Sequence, residues 1–327
     1  VSLVFLRQSQ FFLDSYFPLS LSTAASKPFQ SSSPLQVKLL ISVSRRRLDT
    51  VSSQHKHTPL LLLLTLFLFF SLPSFSQFER IGAENGLASF RVYDILQDRH
   101  GFMWFATLDG LSRFDGNQFV SFAHEDTSAH SLSGNTITAL GEGEGGVLFA
   151  GTVDGVVNVQ VGLTGEFSSL TLSPNTDGNT SSTMIREIFR SGTGEVYVST
   201  VGAGLTVLTP PQYVPLKTFR HDPADKQSLL NNSVYSVRED STGRIWIGSL
   251  GGLQVLDPET HSIHHVEFGK AGIDAVLESG VTAIDVDSDW TLWIGTSSGL
   301  IELPYPYSDP RLCNISTLEH GNNFVTS

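Results

Sequence analysis

Residues 97–114 read QDRHGFMWFATLDGLSRF, and versions of this stretch recur along the chain at a fixed distance. Asp98 to Gly101 has Asp first and Gly fourth, the preference of a type I turn. Residues 103–107 are apolar on both faces and close on Thr, which suits a strand covered on both sides. Asp109-Gly110 is a two-residue hairpin signal, because both residue types tolerate the positive φ such turns need. Leu111 to Phe114 then opens another strand.

The aromatic of the second strand anchors the repeat. Trp104, Phe149, Tyr197, Trp246 and Trp293 lie 45, 48, 49 and 47 residues apart. Three residues after each stands Thr107, Thr152, Thr200, Ser249 or Thr296. Two residues after each stands a small one: Ala106, Gly151, Ser199, Gly248, Gly295. Twelve residues before each, Val92, Ile137, Ile185, Val234 and Val281 open an earlier strand. One extra residue, in 201–204 of the third copy, reads as the only slip. A longer match overlies these: FAHEDTSAHSLSGNTI from Phe122 aligns without gaps on FRHDPADKQSLLNNSV from Phe219, an offset of 97 residues.

Each copy holds four strand-sized pieces, in the first 91–97, 103–107, 111–114 and 118–122. Four short strands about every 45 residues, with turns between, are the signature of propeller blades. The expected fold is all-β: a β-propeller of four-stranded blades of about 45–49 residues, five present and a sixth begun at Val325. The small residue beside each aromatic is expected to leave room for a ring of the next blade. Residues 162–182, rich in Thr, Ser and Asn, read as an insert-like loop, and almost no helix is expected in 77–327. Residues 78–87 read as a lone strand ending at a turn.

Charge and composition bound the function. The 327-residue chain carries a net charge of −12. Residues 1–77 hold seven of the 20 Lys/Arg and two of the 32 Asp/Glu, which leaves the remainder at −17. Phosphate-backbone binding needs a basic surface, so nucleic acid is excluded as a partner. A lone cysteine, Cys313, gives no intrachain disulfide and no cysteine-based metal site. Residues 1–54 have no assigned fold. Residues 55–76 combine nearby Arg and Lys, a thirteen-residue apolar run from Leu60 to Leu72 and small residues before Gln77, the layout of a secretory signal peptide. Export of 77–327 to a periplasm follows.

NGL at 85–87, DILQDRHGFMWFATLDGLSRFDG at 94–116, HSLSGNTI at 130–137 and DSTGRIWIGSLGGL at 240–253 resemble the two-component regulator propeller family. The resemblance covers essentially all of 78–327. It implies seven-bladed propellers forming the extracytoplasmic sensor of a membrane protein, followed by a β-sandwich, a spanning helix and a cytoplasmic histidine kinase or diguanylate cyclase. It further implies an oligosaccharide ligand and a homodimer of the full-length protein, tied to the membrane by a downstream helix. This chain reads as the N-terminal part of such a protein.

No catalytic, cofactor-binding or metal-binding residue is assigned. Asp285, Asp287 and Asp289 alternate as in a calcium loop, but no Gly follows and no Glu closes it, so they read as a turn. His261, His264 and His265 fall on an expected outer strand. His124 and His221 are equivalent in the long repeat and read as structural. Tyr305 and Tyr307 are the most loop-like aromatics, the candidates for stacking on a sugar, with packing of an outer strand as the alternative. The rival classes are a propeller enzyme of lyase, glycosidase or quinone-dependent dehydrogenase type, and a passive interaction scaffold. An enzyme would need a polar cluster from several blades at the axis, whereas the blade entries Ser89, Thr136, Ser233 and Gly280 are small.

Overall fold

A computed structural model describes residues 3–6, 78–172, 183–269, 271–307 and 314–317. The expected signal peptide and the start of a sixth copy lie outside these. Contacts divide the chain into two units, and the repeats all lie in the one that includes Arg80–Ser327.

That unit is a β-propeller of five antiparallel four-stranded sheets, each built from consecutive strands. Blade 1 is Val92–Gln97, Met103–Thr107, Gly110–Phe114 and Phe119–Phe122. Blade 2 is Ile137–Glu142, Leu148–Thr152, Val156–Gln160 and Ser168–Thr171. Blade 3 is Ile185–Arg190, Val196–Thr200, Leu205–Thr209 and Val214–Phe219. Blade 4 is Val234–Glu239, Ile245–Ser249, Gly252–Asp257 and Ser262–His265. Blade 5 is Val281–Val286, Leu292–Thr296, Gly299–Leu303 and Asn314–Thr317. All five expected opening residues begin an inner strand. Residues 78–87 hold a strand, Phe78–Ile81, and then a 3-10 turn, Ala83–Asn85.

The recurring hydroxyl closes the second hairpin. Thr107 Oγ1 donates to the Gly110 carbonyl at 2.7 Å, Thr200 to Gly204 at 2.9 Å and Thr296 to Gly299 at 2.9 Å. Thr107 pairs with Gly110, so the two-residue loop is Leu108-Asp109, one residue earlier than the sequence suggests. Only Gly110, at φ 126°, takes the positive φ there. The extra residue of copy three is not the only slip. Ala106 pairs with Leu111, but Gly151 pairs with Val157 and Ser199 with Leu205, so copies two and three share a longer hairpin.

The small residue beside the aromatic does make room, though for an aliphatic residue rather than a ring. A Cβ on Gly151 would stand 2.4 Å from Ile185 Cγ2, and one on Gly248 would stand 2.6 Å from Val281 Cγ1. Each is the first inner-strand residue of the next blade. Burial follows from this stacking. Ile137–Glu142 is buried in all but its last residue, whereas Val92–Gln97 alternates half-buried and exposed because only one of its faces is covered.

One further expectation is corrected. Part of the insert-like stretch, Ser168–Thr171, is the outermost strand of blade 2. Helix is sparse, as expected: among the described residues one α-helix, Ala271–Glu278, joins blades 4 and 5. Ile273, Val276 and Leu277 recur at helical spacing and are buried in the cluster that holds Trp246 and Leu253. Among the described residues no helix is long and apolar enough to cross a membrane.

Candidate functional site

At one end of the strands, the first turns of blades 1, 4 and 5 carry a local clamp. Asp98 Oδ1 accepts from the amides of His100 and Phe102 at 2.9 and 3.0 Å, and Oδ2 accepts from Trp104 Nε1 at 2.8 Å. Asp240 repeats this with Thr242, Arg244 and Trp246 Nε1, and Asp287 with Asp289, Thr291 and Trp293 Nε1. The carboxylate needs the indole N–H and the indole needs an acceptor. Where the aromatic is Phe149 or Tyr197, the turn position is Gly143 or Ser191. Tyr197, buried, donates its hydroxyl to Glu195 Oε2 at 2.9 Å instead. Burial and the Glu195 charge beside it push that phenol far above its ordinary pKa. Burial alone would raise the Asp240 carboxyl. The hydrogen bonds from Thr242 and Trp246 and the Arg244 charge outweigh it and hold Asp240 below the usual carboxylate range.

Between blades 3 and 4, at this same end, lies a cleft of about 660 Å³. Blade 3 lines it with Glu195 and Pro210, and blade 4 with Arg244, Asp257, Pro258 and Glu259. Arg244 is held by Asp240 Oδ2, 2.9 Å from both Nε and Nη2. Asp257 Oδ1 accepts from the amides of Glu259 and Thr260 inside its own hairpin.

The inner strands carry a second polar array, which the small blade entries did not suggest. Arg238 of blade 4 pairs with Glu187 of blade 3, and its Nε lies 3.7 Å from Asp285 of blade 5. Asp94 of blade 1 accepts from the Leu140 amide at 2.8 Å, and Glu187 from the Val237 amide at 2.8 Å. Ser236 Oγ takes the same role for the Ile284 amide at 3.1 Å. Blade 2 has Ala139 at that position, and Thr138 Oγ1 donates to the Ile185 carbonyl at 2.7 Å instead. Burial raises the Asp94 carboxyl above its ordinary value, against the hydrogen bonds of Leu140 and Ile95. These charges sit two or four residues past the first residue of each inner strand, so a motif search at the entries misses them.

The structure separates the two candidate tyrosines. Tyr305 is 50% exposed, while Tyr307 is 7% exposed and meets Trp246 edge-on with ring centroids 5.4 Å apart. Tyr307 donates its hydroxyl to the Trp290 carbonyl at 2.6 Å, and burial pushes its pKa up to about 12. The two tyrosines touch each other at 5.3 Å. Tyr213 covers Phe149 in the same way at 4.9 Å. Tyr213, His261 and Tyr307 share a left-handed backbone, at φ 52°, 53° and 66°. His261 therefore lies in the turn, ahead of the strand Ser262–His265, and His264 and His265 are both exposed. Asp285, Asp287 and Asp289 are split among an ion pair, a turn clamp and solvent. Among the described residues no group of three His, Cys, Asp or Glu could hold a metal ion. His124 and His221 have one job: Nδ1 lies 2.6 Å from the carbonyl of Leu132 or Leu229, and each amide donates to Asn135 or Asn232.

Residues 87–109 and 228–251 match the model of the family described as two component regulator propeller. No curated protein matches the chain. Among solved structures, it is similar to the extracellular domain of a protein described as a hybrid two component system, BT3049 from B. thetaiotaomicron. That match has 22% identity and a TM-score of 0.57, over 76% of this chain and 37% of the other. The extracellular domain of BT4673 from the same organism matches at 19% identity and TM-score 0.53, over 71% and 31%. Virginiamycin B lyase from Staphylococcus aureus matches at 9% identity and TM-score 0.54, over 75% of each chain. At these identities the likeness is one of fold. The chain spans about a third of the length of the first two.

Proposed function

We propose that this chain, which carries repeats of the two-component regulator propeller family, is the ligand-sensing part of an exported domain in a membrane-bound signal-transduction protein. The observation that carries this reading is the family match at two sites 141 residues apart, on turns that share the Asp–Trp clamp in blades 1 and 4. Signalling through such a domain needs binding and a change of packing, not bond chemistry. The ligand proposed is a soluble small molecule or oligosaccharide, for which exposed Tyr305 offers one face. A paired, homodimeric full-length protein would pass the change to a histidine kinase or diguanylate cyclase across the inner membrane, with the propeller on the periplasmic side.

The test is calorimetric titration of the chain with a panel of oligosaccharides, followed by chromatography of the recovered ligand. Saturable binding with the ligand returned intact supports sensing. A second reading, an enzyme, is favoured by the Glu187–Arg238–Asp285 array, because it brings charges from three blades together on their inner strands. Recovery of a cleaved or eliminated ligand would establish that reading, and substitution of Arg238 would then abolish turnover.

A further inference from the structure

We propose that the cleft between blades 3 and 4 binds an organic cation, a primary ammonium on a short extended frame, between Glu195 and Glu259. This narrows the ligand class of the sensing role above and draws its biological meaning from that role.

The cleft lies where the repeat breaks. At the junction of blades 2 and 3, Tyr213 closes over Phe149, and at that of blades 4 and 5, Tyr307 closes over Trp246. The equivalent residue at the junction of blades 3 and 4 is His261, whose smaller ring leans on Phe219 at 6.2 Å. Blade 3 has also lost the Asp–Trp clamp, carrying Ser191 and Tyr197 in its place. The opening of about 660 Å³ falls in the size range of small-ligand sites.

The charge at the cleft is set by which groups are already engaged. Arg244 is neutralised by buried Asp240, and Asp257 is turned into its hairpin amides. Glu195 gives one oxygen to the Tyr197 hydroxyl, which leaves its other oxygen and the Glu259 carboxylate, on two different blades, to face an occupant. An anion would meet three carboxylates there with no uncommitted cation. A bare metal ion lacks a ligand set among the described residues. A primary ammonium has three donors to share between carboxylates and threonine hydroxyls, and its methylenes can lie against the rigid faces of Pro210 and Pro258.

The experiment is calorimetric titration of the full chain with spermidine, run also against Mg²⁺ at matched ionic strength and against glucuronate. The expected result is saturable one-to-one binding of spermidine, weakened about tenfold by Glu259→Gln and by Glu195→Gln, as for loss of a close charge pair. Glu267→Gln, in a separate cleft that Glu267 lines with Leu230, Gly251 and Asp274 of the helix Ala271–Glu278, should leave it unchanged. Both glutamines keep an acceptor, so Tyr197 retains its partner and circular dichroism of each variant should match the parent. Absence of spermidine binding, equal weakening by Glu267→Gln, displacement by Mg²⁺ or binding of glucuronate would overturn the assignment. Absence of spermidine binding together with saturable oligosaccharide binding indifferent to Glu259→Gln would end the cleft assignment while leaving the sensing role standing.

Discussion

Trp246 donates its indole N–H to Asp240 Oδ2 at 2.9 Å, and both residues are only 3% exposed. The same carboxylate takes the Thr242 hydroxyl at 2.6 Å and the Arg244 guanidinium at 2.9 Å. One side chain thereby ties the turn to the ring that the next blade must cover.

Asp240→Ala leaves the buried Trp246 indole N–H and several part-buried donors without their acceptor and should destabilise the chain by about 2 kcal/mol, the scale of an unsatisfied buried donor. Asp287→Ala, on an exposed turn of blade 5, should cost clearly less. Urea unfolding followed by tryptophan fluorescence measures both, and equal losses would contradict the role of burial.

Acid should act on two carboxylates with opposite sign. The folded-state pKa of Asp240 is depressed, so its contribution is present above the ordinary value of 3.8 and is lost as pH falls through the folded value. The folded-state pKa of Asp94 is raised, so its contribution is complete below 3.8 and is lost as pH rises through the folded value. Asp94→Asn should therefore gain on the parent as pH rises above 3.8, and Asp240→Asn should gain on it as pH falls below 3.8. Thermal melts on both sides of that value read the two trends.

Tyr307→Phe removes the donor to the Trp290 carbonyl and should cost about 1 kcal/mol, the usual net value of one hydrogen bond. Tyr307→Ala should in addition shift Trp246 emission to the red by uncovering the ring. Tyr305→Ala, at an exposed position, should change stability by less than about 0.5 kcal/mol. Emission spectra and melts of the three variants form the check.

Gly151→Ala should destabilise by about 1–3 kcal/mol, because its methyl would press on the branched side chain of Ile185, which has nowhere to turn. Gly101→Ala has open space around it, and its cost of about 1–2 kcal/mol would come from the left-handed backbone alone. The two can be told apart by substituting Asn, which tolerates that backbone. Gly101→Asn should recover stability and Gly151→Asn should not.

The amino-acid sequence by itself determined the period, the inner-strand starts, the Asp turn and the hairpin hydroxyl. Each of these is a contact made within about seven residues, so its partners are visible side by side in every copy. Asp98 with Trp104, Asp240 with Trp246 and Asp287 with Trp293 even disappear together in copies two and three, as a donor without an acceptor must. The helix Ala271–Glu278 was not legible in the sequence: Ile273, Val276 and Leu277 stand at helical spacing, but the strand period around them masked that signal. Only the tertiary structure decided which aromatics are covered and which charges meet. Tyr307 lies under cover and Tyr305 in solvent because Trp246, about 60 residues earlier, offers a ring to one of them. Glu187, Arg238 and Asp285 stand about 50 residues apart and meet because blade stacking aligns their inner strands. The cleft beside Glu195 and Glu259 opens for the same reason: packing between blades, not local pattern, sets how much of each junction is filled.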